Sequence, residues 1–200
     1  MEEIKITYID DRFDLELSKY LDNLKIDNYD ISTSFIKFEL TADYKTLLKN
    51  EKVQEANIIF IDSKLFEDST VEEKFTGEEF KMILKKFLPY IEVIVISQNE
   101  IEDDYTTIKK FNSSVISNSS YKSGLEYYTK LLDDIIKTSI QNIIEFRTIV
   151  KKIKNSNVYE TTLIDKLTNT LSGQNEYDEL SSSDLDKIIN LFEEIRGQYE

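Results

Sequence analysis

The segment ANIIFIDSKLF, residues 56–66, places four apolar residues directly before a carboxylate. Residues 58–61 form a continuous β-branched and aromatic run, which predicts a strand buried on both faces. Asp62 ends that run, and an ionised carboxylate is costly to bury unless a positive charge pairs with it. We therefore expect Asp62 to lie at the edge of a sheet, beside water or beside a partner that carries positive charge.

The composition narrows the class of protein. The 200 residues have a net charge of −14 and include no cysteine and no histidine. The lack of cysteine argues against a disulfide-stapled secreted fold and excludes thiolate metal sites, and the lack of histidine removes the usual zinc ligand and Ser-His triads. The acidic charge opposes binding to nucleic acid or anionic membranes and favours cations such as Mg²⁺. Because no signal peptide and no long apolar run are evident, we expect a cytoplasmic protein of one domain, or of one domain with an appendage.

Strands and helices alternate along the first two thirds of the sequence. Apolar runs predict strands at residues 4–9, 29–38, 58–61 and 93–96, with a weaker fifth strand at 113–117. Apolar residues at helical spacing predict helices at 12–24, 43–54, 78–91 and 101–111. This alternation is typical of repeated βαβ units, and it predicts an α/β protein with a parallel sheet.

Polar residues end three of the predicted strands. Asp10 and Asp11 follow the first strand, Asp62 ends the third, and Ser97 follows the fourth. Ligands in open α/β sheets bind beyond the carboxyl ends of the strands, so we expect these side chains to converge at one edge. With 39 acidic residues in the chain, any single acidic pair is more simply a solvated surface. The inference therefore depends on the three strand ends together.

From residue 123 onwards the pattern is helical. Residues 123–155 contain no proline and, after Gly124, no glycine, which predicts one long helix or two nearly continuous ones. Two further amphipathic segments follow at 161–173 and 181–197. Their apolar stripes fit either packing within the chain or self-association. Residues 141–200 hold 7 basic and 11 acidic residues, a net charge of −4, so this region lacks the basic surface of a DNA-binding domain.

Four motifs resemble those of the receiver domain of bacterial response regulators: YIDD (8–11), IIFID (58–62), TGEEF (76–80) and VIVIS (93–97). The resemblance implies a flavodoxin-like, doubly wound sheet of five parallel strands in the order 2-1-3-4-5, followed by an α-helical C-terminal region. It divides the chain into a receiver-like domain at residues 1–138 and a helical extension at 139–200 for interaction or dimerisation.

The resemblance also implies a site and its chemistry. The residue matching Asp62 accepts a phosphoryl group in that family, and the pair matching Asp10 and Asp11 binds Mg²⁺ together with it. The backbone carbonyl of Lys64 completes the protein ligands, and the Ser97 hydroxyl hydrogen-bonds the phosphoryl group. Mg²⁺ takes oxygen ligands in an octahedral arrangement, which suits clustered carboxylates.

The expected partners follow from the resemblance and from the charge. The resemblance implies a sensor histidine kinase or another signalling protein, whereas the acidic charge and the non-basic C-terminal region lead us to expect no nucleic acid and no membrane. Self-association through the helices at 123–200, to form a homodimer, is the other expected contact.

One departure from the receiver pattern concerns a lysine. Receivers usually end the fifth strand with a lysine that bonds the phosphoryl group, whereas residues 115–120 read VISNSS and place Asn118 or Ser119 there. Lys122 would reach the site only if its loop folded back. We therefore expect the receiver lysine to be unmatched, and the phosphorylated state to be less stabilised.

A second departure concerns length. The interval from Asp62 to Gly77 is longer than in typical receivers, which predicts a flap at residues 65–75 beside the site. The leading hypothesis for function is a phosphorelay receiver that is phosphorylated on Asp62 and signals through the helical tail. The alternative is a pseudo-receiver interaction module without phosphotransfer, which the unmatched lysine favours. A metal-dependent phosphatase is disfavoured because no general acid or base is evident, so we expect no enzymatic activity.

Overall fold

Five parallel strands form a single sheet in the computed structural model, which describes residues 1–39, 44–65, 76–98, 107–112, 121 and 123–155. The strands are β1 (Glu2–Asp10), β2 (Tyr29–Lys37), β3 (Ile58–Asp62), β4 (Glu92–Ser97) and β5 (Thr107–Lys109). Their order is β2-β1-β3-β4-β5, and every neighbouring pair is parallel. The predicted flavodoxin-like fold with the order 2-1-3-4-5 is confirmed.

Helices connect the strands and cover the sheet. They are α1 (Leu15–Asp22), α2 (Tyr44–Leu48), α3 (Glu51–Gln54), α4 (Gly77–Phe87) and α5 (Gly124–Lys154). The single helix predicted at 43–54 is two short helices, because the Asn50 side chain caps α3 by accepting a hydrogen bond from the backbone of Lys52. The helices predicted at 161–173 and 181–197 lie outside the described residues.

Each face of the sheet has its own apolar core, because successive side chains of a strand point to opposite faces. One core joins alternate strand residues to α2, α3 and α4: Ile9, Ile59, Ile61, Val93 and Val95 pack with Leu47, Val53, Phe80 and Leu84. The other core joins the intervening residues to α1 and α5: Ile6, Tyr8, Ile58, Phe60, Ile94, Ile96 and Ile108 pack with Leu17, Leu21, Tyr128 and Leu132. The continuous apolar run at 58–61 is thus explained by burial on both faces, as predicted.

The fifth strand differs in position from the prediction. It lies at Thr107–Lys109 and pairs with the end of β4, whereas the sequence predicted a helix over 101–111 and a strand at 113–117. Thr107 and Ile108 are β-branched and favour a strand, but three residues are too few to show a periodic pattern. Residues 101–106 and 113–117 lie outside the described residues.

Helix α5 is one continuous helix of 31 residues, about 46 Å long. Its buried face continues across the predicted boundary at 138/139: Leu132 and Ile136 precede the boundary, and Ile140 and Ile143 follow it in the same core. The division into 1–138 and 139–200 stays a prediction, since residues 156–200 lie outside the described part of the chain. None of the described helices is long and apolar enough to cross a membrane.

Helix α4 begins in tight contact with the end of β3. Thr76 and Glu79 form a capping box, in which the Thr76 side chain accepts from the Glu79 backbone and the Glu79 carboxylate accepts from the Thr76 backbone. A Cβ atom added to Gly77 would lie 2.3 Å from the carbonyl oxygen of Asp62, so only glycine fits there. The helix start therefore depends on the same backbone that carries Asp62.

Replacing Gly77 is expected to disturb both elements. Gly77→Ala should lower the free energy of unfolding by about 1–3 kcal/mol, because the methyl group overlaps backbone that cannot rotate away. Urea denaturation measures the change, and Met82→Ala, on an exposed turn of the same helix, is the control with an expected effect below about 0.5 kcal/mol. Equal stability of Gly77→Ala and the unmodified protein would contradict the close approach.

Candidate functional site

Three carboxylates meet at the carboxyl edge of the sheet. Ile9 of β1 pairs in register with Ile61 of β3, so the next residues, Asp10 and Asp62, lie side by side at the strand ends. Asp11 follows Asp10, and one oxygen of each of the three carboxylates lies within 4.8 Å of the other two. The convergence predicted from the strand ends is therefore present for these three carboxylates. Asp10 and Asp62 are buried, and Asp11 is half-buried.

A lysine lies between two of these carboxylates. Nζ of Lys110 is 2.9 Å from Oδ2 of Asp10 and 2.9 Å from Oδ1 of Asp62, and all three side chains are at most 7% exposed. Lys110 follows β5 directly, and its backbone N–H donates to the carbonyl of Ser97 on β4. It thus occupies the position at the end of the fifth strand where receivers carry a lysine. The prediction that this lysine is unmatched is wrong, because the sequence predicted the strand six to eight residues too far along the chain.

The remaining hydrogen bonds fix the orientation of Asp10. Its Oδ2 accepts from the hydroxyl of Tyr8 as well as from Lys110, and its Oδ1 accepts from the backbone N–H of Arg12. Tyr8 lies two residues earlier on β1 and is fully buried. Asp10 is thus a buried carboxylate whose two oxygens are both hydrogen-bonded.

Burial and mutual repulsion shift the ionisation of the site. The pKa of Asp62 is raised to about 7, first by burial and then by the negative charge of Asp10, while Lys110 opposes both effects. Burial also raises the pKa of Asp10, against the pull of Lys110. For Lys110, burial favours the neutral amine, but the two carboxylates outweigh it and its pKa is raised. Lys110 therefore stays charged, while Asp62 holds a proton more readily than an ordinary carboxyl group.

The other predicted site residues stand nearby or lie outside the described residues. Ser97 ends β4 and is buried, one residue beyond Ile96, which pairs with Asp62. Lys64 lies two residues after Asp62 and forms an antiparallel bridge with Thr76. The roles of Ser97 and of the Lys64 carbonyl stay predictions. Asn118, Ser119, Lys122 and residues 66–75 of the expected flap are not among the described residues.

The donor set suits a hard divalent cation. Two oxygens on one Mg²⁺ lie at most about 4.2 Å apart, since each bond is about 2.1 Å. The spread of 4.8 Å among the three carboxylates is only slightly larger. Two of the three are buried with a single lysine between them, so negative charge exceeds positive charge at this edge. The residues therefore fit a magnesium ion by ligand type, number and charge.

Sequence reasoning missed Lys110 and Tyr8. Lys110 comes directly after the three residues of β5, Thr107–Lys109. Two of these residues are β-branched, which is only a weak strand signal inside a pattern that otherwise fits a helix. Tyr8 is an aromatic residue with a polar tip, placed two positions before Asp10 on an apolar strand. Because strand residues i and i+2 share a face, that spacing could have indicated contact between the phenol and the carboxylate.

Removing the charge of Asp62 is expected to stabilise the metal-free protein at pH 8. Folding raises the pKa of Asp62, so the stability linked to its protonated form is fully present below the ordinary carboxyl pKa near 4 and is lost as the pH rises through about 7. Asp62→Asn has no such charge to bury. Its free energy of unfolding should exceed that of the unmodified protein by about 1–3 kcal/mol at pH 8, since one pKa unit corresponds to about 1.4 kcal/mol.

Urea denaturation in the presence of EDTA, at pH 8 and at pH 4, measures this difference, which should shrink at the lower pH. Asp134→Asn on the exposed side of α5 makes the same formal change in charge and is the control. A variant Asp62→Asn that is less stable than the unmodified protein at pH 8 would contradict the assigned electrostatics.

Comparisons with known proteins concern the fold. No protein-family model and no curated protein matches the chain. Among solved structures, the isolated REC domain of RcsB from Salmonella enterica serovar Typhimurium is 17% identical with a TM-score of 0.36. That match covers 50% of this chain and 65% of the other, less than two thirds of its length. The two-component transcriptional regulator AraC from Clostridium phytofermentans is 16% identical with a TM-score of 0.40, over 72% of this chain and 98% of the other.

A third similar structure corrects the expected partners. RcsB from the same Salmonella serovar, bound to promoter DNA, is 16% identical with a TM-score of 0.36, over 86% of this chain and 89% of the other. The expectation that excluded nucleic acid is therefore wrong, because proteins with this fold are described in complexes with DNA. The physical reason is that a net charge describes the whole chain, whereas phosphates are bound by one local surface.

The fold assignment rests on the chain's own sheet. Five parallel strands stand in the order β2-β1-β3-β4-β5, with acidic residues at the ends of β1 and β3 and a lysine after β5. The resemblance predicted from the sequence is confirmed at the level of the fold, which is the flavodoxin-like fold with the strand order of receiver domains.

Proposed function

We propose that the chain is a signalling receiver that accepts a phosphoryl group on Asp62, with Mg²⁺ held by Asp10, Asp11 and Asp62. The observation that supports this proposal most is the position of Lys110, with Nζ 2.9 Å from both Asp10 and Asp62. The pseudo-receiver alternative was favoured by the unmatched lysine, and that argument no longer applies. The likeness to response regulators supports the coarser role in two-component signalling.

Asp62 is the nucleophile in this proposal. One carboxylate oxygen forms a bond to the phosphorus of the donor, and the bond from phosphorus to the leaving group breaks, with its electron pair departing on that group. Lys110 bonds Oδ1. In this proposal Oδ2 is the oxygen that attacks.

The neighbouring residues would stabilise the product. The Lys110 ammonium lies within reach of a phosphoryl oxygen on Asp62 and would donate a charge-assisted hydrogen bond. Ser97 would donate a second hydrogen bond from the end of β4, and the carbonyl of Lys64 would add a ligand for the cation. Bound Mg²⁺ would neutralise negative charge on Asp62 and on the incoming phosphoryl group.

The proposed output runs through α5. Tyr127 of α5 donates a hydrogen bond of 2.9 Å to the carbonyl of Lys109. Because Lys109 directly precedes Lys110, a movement of Lys110 on phosphorylation would shift a backbone group that is hydrogen-bonded to α5. In this proposal the chain is not an enzyme, because the phosphoryl group stays on Asp62 as a signal, and it acts in the cytoplasm.

Incubation of the full chain with acetyl phosphate and Mg²⁺, followed by intact-mass measurement, tests the proposal. We expect the mass of one added phosphoryl group, with acetate as the leaving group. The adduct should be lost in Asp62→Asn and in the presence of EDTA, and it should persist in Asp134→Asn.

The opposite result has a definite meaning. No adduct on the unmodified protein, together with no Mg²⁺-dependent change in its thermal stability, would contradict phosphorylation at this site and would favour the pseudo-receiver. An adduct that persists in Asp62→Asn would show that another residue is the acceptor.

A further inference from the structure

Two buried tyrosines have the same hydrogen-bonding role near the acidic site. The Tyr8 hydroxyl accepts from the backbone N–H of Asp14 at 3.1 Å and donates to Oδ2 of Asp10. The Tyr128 hydroxyl accepts from the backbone N–H of Phe111 at 2.9 Å and donates to Oδ2 of Asp14 at 2.8 Å. Each phenol thus links a backbone amide to a carboxylate, and each uses its donor and an acceptor position.

Asp14 joins the two links. Its Oδ1 accepts from the backbones of Glu16 and Leu17 and so caps α1. Its Oδ2 accepts from Tyr128, and its own N–H donates to Tyr8. The chain of contacts therefore runs from α5 through the first turn of α1 to Asp10.

The hydrogen bonds of the two tyrosines lead to the two partners of one ion pair, Asp10 and Lys110. Tyr8 bonds Asp10, and Tyr128 bonds the backbone of Phe111, the residue after Lys110. Lys110 in turn bonds Asp10, which closes a ring of contacts between β1 and the end of β5. Tyr8 and Tyr128 are fully buried, so water does not compete for these hydrogen bonds.

Close packing at the start of α5 keeps the ring compact. A Cβ atom on Gly124 would lie 2.6 Å from the side chain of Glu16 and 2.9 Å from the ring of Phe111. The first turn of α5 therefore touches both the start of α1 and the segment that carries Lys110.

We propose that Tyr8 and Tyr128, linked through Asp14, are positioning residues through which helix α5 sets the arrangement of Asp10 and Lys110 at the acidic site. This inference rests on the proposed function, because the consequence it predicts is for Mg²⁺ binding there. Hydrogen bonds from outside the ligand set orient carboxylate ligands, and their loss commonly weakens metal binding about 10-fold or more.

Filling space in the core does not require the hydroxyl groups of Tyr8 and Tyr128, since phenylalanine has nearly the same volume. The hydroxyl groups are therefore the part of these side chains to test. Tyr20 provides the comparison: it is buried in the same core, and its hydroxyl donates to Asp133 of α5 at 2.7 Å. That bond also joins a phenol to a carboxylate and α1 to α5, but it has no link to Asp10 or Lys110. Tyr20→Phe is therefore the matched control.

Calorimetric titration of the full chain with Mg²⁺ is the first measurement. Tyr8→Phe is expected to raise the Kd for Mg²⁺ about 10-fold, and Tyr128→Phe and Asp14→Asn should each raise it severalfold. Asn at position 14 retains an oxygen to cap α1 but presents only one acceptor oxygen, so it separates loss of the link from loss of the helix cap. Tyr20→Phe should bind Mg²⁺ as the unmodified protein does.

Amide hydrogen exchange in the metal-free protein is the second measurement. Tyr128→Phe removes the acceptor of the Phe111 N–H, so exchange at Phe111 should accelerate, while Tyr20→Phe should leave it unchanged. This readout does not depend on Mg²⁺.

The outcomes separate this inference from the proposed function. If the unmodified protein binds Mg²⁺ and Tyr8→Phe and Tyr128→Phe bind it equally well, the inference is overturned while the proposed function stands. If Tyr20→Phe weakens binding as much as the other two, a general loss of stability explains the effect and the inference is again overturned. If the unmodified protein binds no Mg²⁺, the proposed function fails. The hydrogen-exchange measurement then still tests the positioning role, which is overturned if exchange at Phe111 is unchanged in Tyr128→Phe.

Discussion

The ammonium group of Lys110, held between two buried carboxylates, is the interaction on which the site depends. Asp10 and Asp62 come from adjacent parallel strands and would repel each other in a place that water scarcely reaches. Nζ of Lys110 lies 2.9 Å from an oxygen of each and offsets that repulsion. The sheet provides this geometry, because β1 ends in Asp10, β3 ends in Asp62, and Lys110 directly follows β5.

Much of this arrangement is predictable from sequence because its signals are local. Residues 58–61 are apolar on both faces, which indicates a central strand, and Asp10 and Asp62 end strands whose neighbours are parallel. Lys110 was not predictable in the same way. Ile101, Ile108 and Phe111 fit helical spacing, and a three-residue edge strand has no period of its own to outweigh that pattern. The observed position of β5 removes the argument from an unmatched lysine that favoured the pseudo-receiver alternative.

The contacts that support the site are distant in sequence. Tyr128 and Asp14 are 114 positions apart, and Lys110 and Asp10 are 100 apart, so no local pattern reveals either pair. Helix α5 is held in position because one of its faces, from Tyr128 to Ile143, is buried against the sheet and against α1. The same helix that appears in the sequence as the start of a separate tail is, in the structure, part of the core that holds the acidic site.

A double-mutant cycle between Lys110→Met and Asp62→Asn, measured by urea denaturation of the metal-free full chain, tests the central ion pair most directly. Removing the lysine from between two buried carboxylates leaves their charge uncompensated, which costs about 3–5 kcal/mol. The structure therefore predicts, at pH 8, a loss of that size for Lys110→Met alone. The loss should be smaller when Asp62 is already Asn, because Asp10 alone of the two then loses its cation, so that the two changes are not additive. Additive effects would contradict the account, because they would mean that Lys110 does not balance the charge of Asp62.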